Sequence, residues 1–336
     1  MILSHDKIIP LVHNALKVGE NEEGLLKFYR FTPKQSENYL SEEERFGVRS
    51  HATANITLDF ITDSDTLGLS CDVELASSQY YYTIDLFVDG VLFDSVYKEE
   101  FGPLDASFSL PSGTHRVTVF FPWTAELFLK SVSLSDGAHY SPVPKKKLRM
   151  IALGDSITQG YIAKHPGMTW VGKVTRDLDA EVLNLGIGGY GFRIKSLEEK
   201  IEWTPDLIAV AYGTNDYARE VTEEGFIRCA SEYIEKLTAM FPGVPVLLLQ
   251  PIFRNDANNR KREAERKYVL NDARRDLREI AKKYPQITVL EDDYFPHTPE
   301  FFAPDYLHPN DQGFLIQGER VVKAIKELCL ARGVAF

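Results

Sequence analysis

A serine hydroxyl, a glycine-rich loop, a carboxamide and an imidazole with a carboxylate three residues before it occur along this chain in an order that suits attack on a carbonyl. Ser156 lies in Gly154-Asp155-Ser156-Ile157-Thr158, directly after the apolar run RMIAL. A hydroxyl at the end of a buried strand, where a helix begins, stands where a nucleophile can be presented to a ligand. Serine is also a common helix cap, and the segment taken alone reads equally well that way. It is not a G-x-S-x-G elbow, because Thr158 stands where the second glycine belongs, which disfavours the ordinary α/β-hydrolase arrangement. The run EVLNL leads into GIGGYG, whose glycines let the backbone approach a ligand and aim amide N–H groups at it. The run DLIAVAY leads into Gly213-Thr214-Asn215-Asp216, offering the Asn215 carboxamide as a second donor. Asp305-Tyr306-Leu307-His308 places a carboxylate within reach of one imidazole nitrogen, so that Asp305 would fix the tautomer of His308.

These residues need elements to hold them. From Leu148 onward, short apolar runs alternate with helical patterns: LRMIALGD, a helix near 168–179, EVLNLG, DLIAVAYG, a helix near 222–240, VPVLLLQP, a helix near 261–283, and ITVLE. Strand and helix taking turns predict a parallel sheet covered on both faces, with ligands bound beyond the carboxyl ends of the strands. The last helix, about 311–331, sets Phe314, Gly318, Val321, Ile325 and Leu328 in one stripe. Residues 53–134 instead alternate with period two, as in Ala54, Ile56, Leu58 and Phe60, and in Val117, Val119 and Phe121. Asp89-Gly90 and PSGTH are read as hairpin turns, and short strands at this spacing predict a β-sandwich. The expected organisation is a sandwich domain over 1–135, a linker rich in Gly, Pro and Lys over 136–147, and an α/β domain over 148–336. The run Lys145, Lys146 and Lys147 is read as a solvated face of that linker.

The four chemical segments, in this order, resemble the blocks of the SGNH hydrolase superfamily, also called GDSL esterases and lipases. GDSIT, NLGIGG, GTND and DYLH match its blocks over about residues 148–332. The resemblance implies a three-layer α/β/α domain, flavodoxin-like, with a five-stranded parallel sheet, here preceded by a jelly-roll-like sandwich as in some carbohydrate esterases and acyltransferases. It implies Ser156 as nucleophile, His308 as base, Asp305 as its orienting acid, and an oxyanion hole made of the Ser156 N–H, the Gly189 N–H and the Asn215 side chain. The expected activity is hydrolysis of a short-chain or acetyl O-acyl ester on a small or glycosylated metabolite through an acyl-enzyme. Transfer to an alcohol acceptor is the competing enzymatic reading, and a catalytically idle carbohydrate-binding or scaffold protein is the alternative of a different class. Tyr190, Trp170 and Arg254, with Phe192, are candidate substrate contacts.

Composition narrows the partners. Lys and Arg number 38 against 49 Asp and Glu, a formal charge of −11, which repels nucleic acid and anionic membrane surfaces. Three cysteines without C-x-x-C spacing supply neither a disulfide framework nor a zinc knuckle and fit a reducing compartment, so a cytoplasmic location is expected. No His, Cys and Asp cluster has metal-ligand spacing, and neither a metal nor a cofactor is expected. Gly186, Gly188 and Gly191 spell G-x-G-x-x-G, but the acid a dinucleotide ribose needs is missing at the end of the next strand, since Asp206 opens that strand. His165 is read as an exposed loop residue. A small-molecule ester is the only partner the sequence implies.

Overall fold

The computed structural model describes all residues except Lys145, Glu220, Val221 and Arg266. Contacts divide the chain into two compact units. Met1–Phe31, Val48–Lys146 and Lys164–Gly167 form one, and Thr32–Gly47, Lys147–Ala163 and Met168–Phe336 form the other.

Among the described residues the first unit holds two six-stranded antiparallel sheets. One orders Lys17–Glu20, Leu26–Tyr29, Ala125–Leu134, Thr66–Leu75 and Gly102–Ser109, with Ile2–Leu3 beside Ala125–Leu134. The other orders Tyr140–Pro142, Thr57–Thr62, His115–Phe120, Tyr82–Val88 and Val91–Lys98, with Val12–His13 beside Thr57–Thr62. Alternate residues of both sheets make one core: Leu58, Phe60, Val117 and Val119 from one sheet, and Leu67, Leu69, Val73, Leu127 and Leu129 from the other. Each such side chain contributes about 1.5–3 kcal/mol by leaving water.

Asp89 and Gly90, with φ of 49° and 81°, turn Tyr82–Val88 back on Val91–Lys98 as a hairpin. The PSGTH turn does not make a hairpin. Gly102–Ser109 pairs with Thr66–Leu75, whereas His115–Phe120 pairs with Thr57–Thr62 and Tyr82–Val88, so this turn carries the chain from one sheet to the other. Residues 136–147 also differ from a solvated linker. Tyr140–Pro142 pairs with Phe60–Thr62, and the Lys146 ammonium lies 3.0 Å from Asp59 with its side chain 2% exposed. A buried carboxylate needs such a partner, and Arg116 supplies two more hydrogen bonds to it. Lys145 lies outside the described residues.

In the second unit, strands β1 (Arg149–Gly154), β2 (Glu181–Gly186), β3 (Leu207–Ala211), β4 (Val246–Leu249) and β5 (Ile287–Leu290) form a parallel sheet of order 2-1-3-4-5. This is the flavodoxin-like order. The helices that follow its first strand are α1 (Ser156–Gln159), α2 (Trp170–Asp177), α3 (Thr214–Ala218), α4 (Glu223–Met240), α5 (Ala257–Ala264), α6 (Leu270–Ala281) and α7 (Asp311–Arg332), and the helix Pro33–Glu42 belongs to the same unit. Met150, Ala152, Leu207, Ala209, Leu247 and Leu249 are buried with Trp170, Val171 and Val174 of α2 and Phe314, Val321 and Ile325 of α7. The single helix expected over 261–283 is two helices, because capping chemistry interrupts it. Asp256 caps α5 by accepting from the Asn258 and Asn259 N–H groups, Asp272 accepts from the Val269 N–H to open α6, and Arg262 donates to the Tyr268 carbonyl between them. Among the described residues, no helix is long and apolar enough to cross a membrane.

Candidate active site

The strand order reverses beside β1, and the segments with chemistry leave the carboxyl ends of β1, β2 and β3 there. Asp155 caps α1, its carboxylate accepting the Ile157 N–H at 2.9 Å, so the helix begins on Ser156, next to the strand end. Asn184 of β2 donates to the Thr158 carbonyl at 2.8 Å and anchors this short helix to the sheet. The Ser156 N–H, at the first helical position, has no intrahelical acceptor to find.

Ser156 and His308 meet across 152 residues of sequence, with Oγ 2.8 Å from Nε2. The other imidazole nitrogen, Nδ1, lies 2.6 Å from Asp305 Oδ2. Asp305 Oδ1 accepts the backbone N–H groups of Leu307 and His308, both at 3.0 Å, so the turn that brings the imidazole back also fixes the carboxylate. An ionised carboxylate can only accept, which puts the ring proton on Nδ1 and leaves the Nε2 lone pair for the serine hydroxyl. Burial alone would raise the Asp305 pKa, but the His308 hydrogen bond and charge and the two backbone donors overcome it and hold the carboxyl at about 2. Ser156 and His308 are each 9% exposed, enough for a small group to touch them from one side. Tyr161 lies over the imidazole, ring centroids 4.6 Å apart.

Gly189 adopts φ of 80°, a conformation that favours glycine. The neighbouring Gly188 N–H donates to Gln159 Oε1 at 2.8 Å, whereas the Gly189 N–H finds no acceptor among the described residues. Asn215 Nδ2 donates one hydrogen to the Tyr190 carbonyl at 2.9 Å, which sets the plane of its amide and leaves the second hydrogen.

Residues 152–316 match the model of the GDSL-like Lipase/Acylhydrolase family. Over that segment the chain is similar to that family. No curated protein matches the sequence. Among solved structures, the chain is similar to the salicylyl-acyltransferase SsfX3 from a tetracycline biosynthetic pathway (TM-score 0.81, 19% identity, 100% of this chain and 99% of that one). It is also similar to family two carbohydrate esterases from Cellvibrio japonicus (0.62, 16%, 95% and 95%) and Clostridium thermocellum (0.66, 13%, 84% and 94%). At such identities the likeness establishes the fold, a five-stranded parallel α/β domain accompanied by two antiparallel sheets.

Three residues expected at the substrate pocket are packed away from it. Trp170 is fully buried on α2, and Tyr190 is fully buried with its hydroxyl donating to Glu42 at 2.9 Å. Arg254, 4% exposed, donates to Asp256 at 2.5 Å and to the Thr214 carbonyl at 3.0 Å. Large side chains beside a motif serve the core as readily as the ligand, and here the core claims them. Phe192 is likewise buried, against Tyr212 and Tyr233. His165 is only partly exposed, with Nδ1 2.9 Å from Asp85. The residues that sequence reasoning passed over are Asp155 and Asp216, which sit inside the GDSIT and GTND segments and so carried a signal, and Tyr161, which carried none. Among the described residues, no group of three His, Cys, Asp or Glu side chains is arranged to hold a metal ion.

Proposed function

We propose that the protein is a serine esterase that hydrolyses a short-chain or acetyl O-acyl ester of a small or glycosylated metabolite. The observation that carries this reading is the continuous chain of contacts from Asp305 through His308 to Ser156, at 2.6 and 2.8 Å. His308 Nε2 takes the Ser156 proton as Oγ attacks the ester carbonyl, and Asp305 stabilises the resulting imidazolium. Negative charge gathers on the former carbonyl oxygen, where the Ser156 N–H, the Gly189 N–H and the second Asn215 Nδ2 hydrogen would meet it. Collapse breaks the bond to the alcohol, which leaves with the proton from His308. Water then attacks the acyl-enzyme by the same route, releasing the acid and restoring Ser156. The uncommitted Gly189 amide supports the choice of Gly189 over Gly188 for this role.

The same acyl-enzyme can pass its acyl group to an alcohol, and the likeness over the full chain to a salicylyl-acyltransferase gives that second reading its support. Three free cysteines, two of them buried, fit a cytoplasmic location. The test is labelling with a fluorophosphonate, followed by p-nitrophenyl acetate turnover with and without acceptor alcohols. Stoichiometric labelling that Ser156→Ala abolishes, with acid as the main product, is expected. EDTA is expected to leave turnover unchanged. An unlabelled wild-type protein, or labelling that survives Ser156→Ala, would refute the esterase reading, and a new ester as the main product would select transfer.

A further inference from the structure

We propose that Asp216 is a positioning residue whose carboxylate holds the loop carrying the Gly189 N–H in register with the loop carrying Asn215. The inference rests on the esterase reading, since it concerns where two of the proposed oxyanion donors stand.

Asp216 spans both loops. Its Oδ1 accepts the Phe192 N–H at 2.8 Å, and its Oδ2 accepts the Gly213 N–H at 3.1 Å. Two neighbours on the same turn of chain grip the same loop. Asn215 Nδ2 donates to the Tyr190 carbonyl at 2.9 Å, and the Arg219 guanidinium donates to the Gly189 carbonyl. The peptide groups from Gly189 to Phe192 are therefore tied to α3 and its flanks at three points, and the central tie is a carboxylate that also reaches back to Gly213. Residues 187–193 form no strand or α-helix of their own, so these ties replace the ladder that fixes a strand.

The fit is close. A β-carbon on Gly191 would stand 2.3 Å from Asp216 Oδ1 and 2.6 Å from Oδ2, so only glycine leaves room for the carboxylate there. Burial raises the Asp216 pKa, while the Phe192 N–H, Arg219 and the Gly213 N–H act to lower it. An oxyanion donor is worth its full effect only when preplaced to within a few tenths of an ångström, because charge appears on the oxygen faster than a loop can rearrange. A carboxylate that joins the donor loops acts on that placement without touching the substrate.

The simpler account is that Asp216 only caps α3 through Gly213. A double-mutant cycle separates the two. Asp216→Asn keeps the shape but offers one acceptor and one donor, so one of the two N–H groups faces an NH2. With p-nitrophenyl acetate, Asp216→Asn is expected to lower kcat about 10- to 100-fold with KM within about threefold of wild type. In an Asn215→Ala background, whose oxyanion site is already impaired, the same substitution is expected to cost less than about threefold. An equal factor in both backgrounds, or an effect confined to KM, would overturn the proposal in favour of a cap. Gly191→Ala, which displaces the carboxylate without removing it, is expected to repeat the pattern. If neither variant folds, Asp216 is a structural residue and the proposal fails. If Ser156→Ala and Asn215→Ala leave turnover unchanged, it is the esterase reading that fails, and the clamp with it.

Discussion

A serine hydroxyl is a weak nucleophile at neutral pH, and around Ser156 three features answer that weakness: an imidazole acceptor at 2.8 Å, a carboxylate that settles which imidazole nitrogen carries the proton, and a helix start that leaves a backbone N–H free. Because such groups act as one unit, Ser156→Ala and His308→Ala are each expected to lower turnover of p-nitrophenyl acetate by at least about 10³-fold with melting unchanged. A variant that kept most of its activity would remove that residue from the mechanism. Asp155, the residue before Ser156, poses a different question. Burial raises its pKa to about 7 against the Ile157 hydrogen bond, with nearby Asp216 adding to the rise and Arg254 and Arg219 opposing it. Its folded pKa is above the unfolded value near 3.9, so this group's contribution to stability is fully present below about pH 4 and is lost as pH rises toward 7. Asp155→Asn removes that slope. The difference in melting temperature, variant minus wild type, is expected to grow between pH 4 and pH 7, and a constant difference would show that Asp155 does not titrate there.

At the scale of elements, the positions of the Ser156, Gly189 and Asn215 segments were legible in the sequence because each follows an apolar run of strand length, and parallel strands present whatever follows them at one edge of the sheet, whereas Asp305 and His308 were placed only by preceding the last helix. What stayed hidden was whatever depends on partners distant in sequence. PSGTH announces that the chain turns, but a turn says nothing about which strand the next segment joins. The basic stretch around 261–283 carries a helical pattern throughout, and its division into α5 and α6 rests on side chains that compete with the helix for backbone N–H groups. Arg254 looked like a ligand contact because it follows β4. Its guanidinium instead joins the loop after β4 to the loop after β3, through Asp256 and the Thr214 carbonyl, with Tyr217 beneath it at 5.5 Å. Arg254→Met keeps the bulk but strands a carboxylate and a carbonyl, and is expected to cost about 2–4 kcal/mol in denaturant unfolding. A cost below about 0.5 kcal/mol would mean that the two loops hold together without it.

At the scale of the molecule, the chain does not divide where composition changes. Residues 32–47 lie in the first third of the sequence, yet they belong to the same compact unit as the parallel sheet. The helix Pro33–Glu42 is capped by Thr32 and Gln35 in a reciprocal box, and its residues supply partners that the α/β segments lack. Gln35 donates to the Ser196 carbonyl at 2.9 Å, and Asn38 to the Lys195 carbonyl at 3.1 Å. Glu42 accepts from the Tyr190 hydroxyl at 2.9 Å and from Arg193 at 2.6 Å, while the Tyr190 ring packs edge-on against Tyr39 and Phe46 at 4.9 and 5.2 Å. Tyr190 directly follows Gly189, so this early segment braces the loop that carries a proposed oxyanion donor. A chain beginning at Leu148 would keep all five parallel strands and Ser156, His308 and Asp305 but would leave the Tyr190 hydroxyl and ring and the Arg193 charge without these partners. Such a chain is expected to aggregate, or to melt at least about 5 °C below the full-length protein with a reduced kcat on p-nitrophenyl acetate. Differential scanning calorimetry of the two chains, with turnover measured on the same samples, decides the matter. If the shortened chain melts cooperatively at the full-length temperature with full activity, residues 32–47 are dispensable and the α/β unit is complete from Leu148 onward.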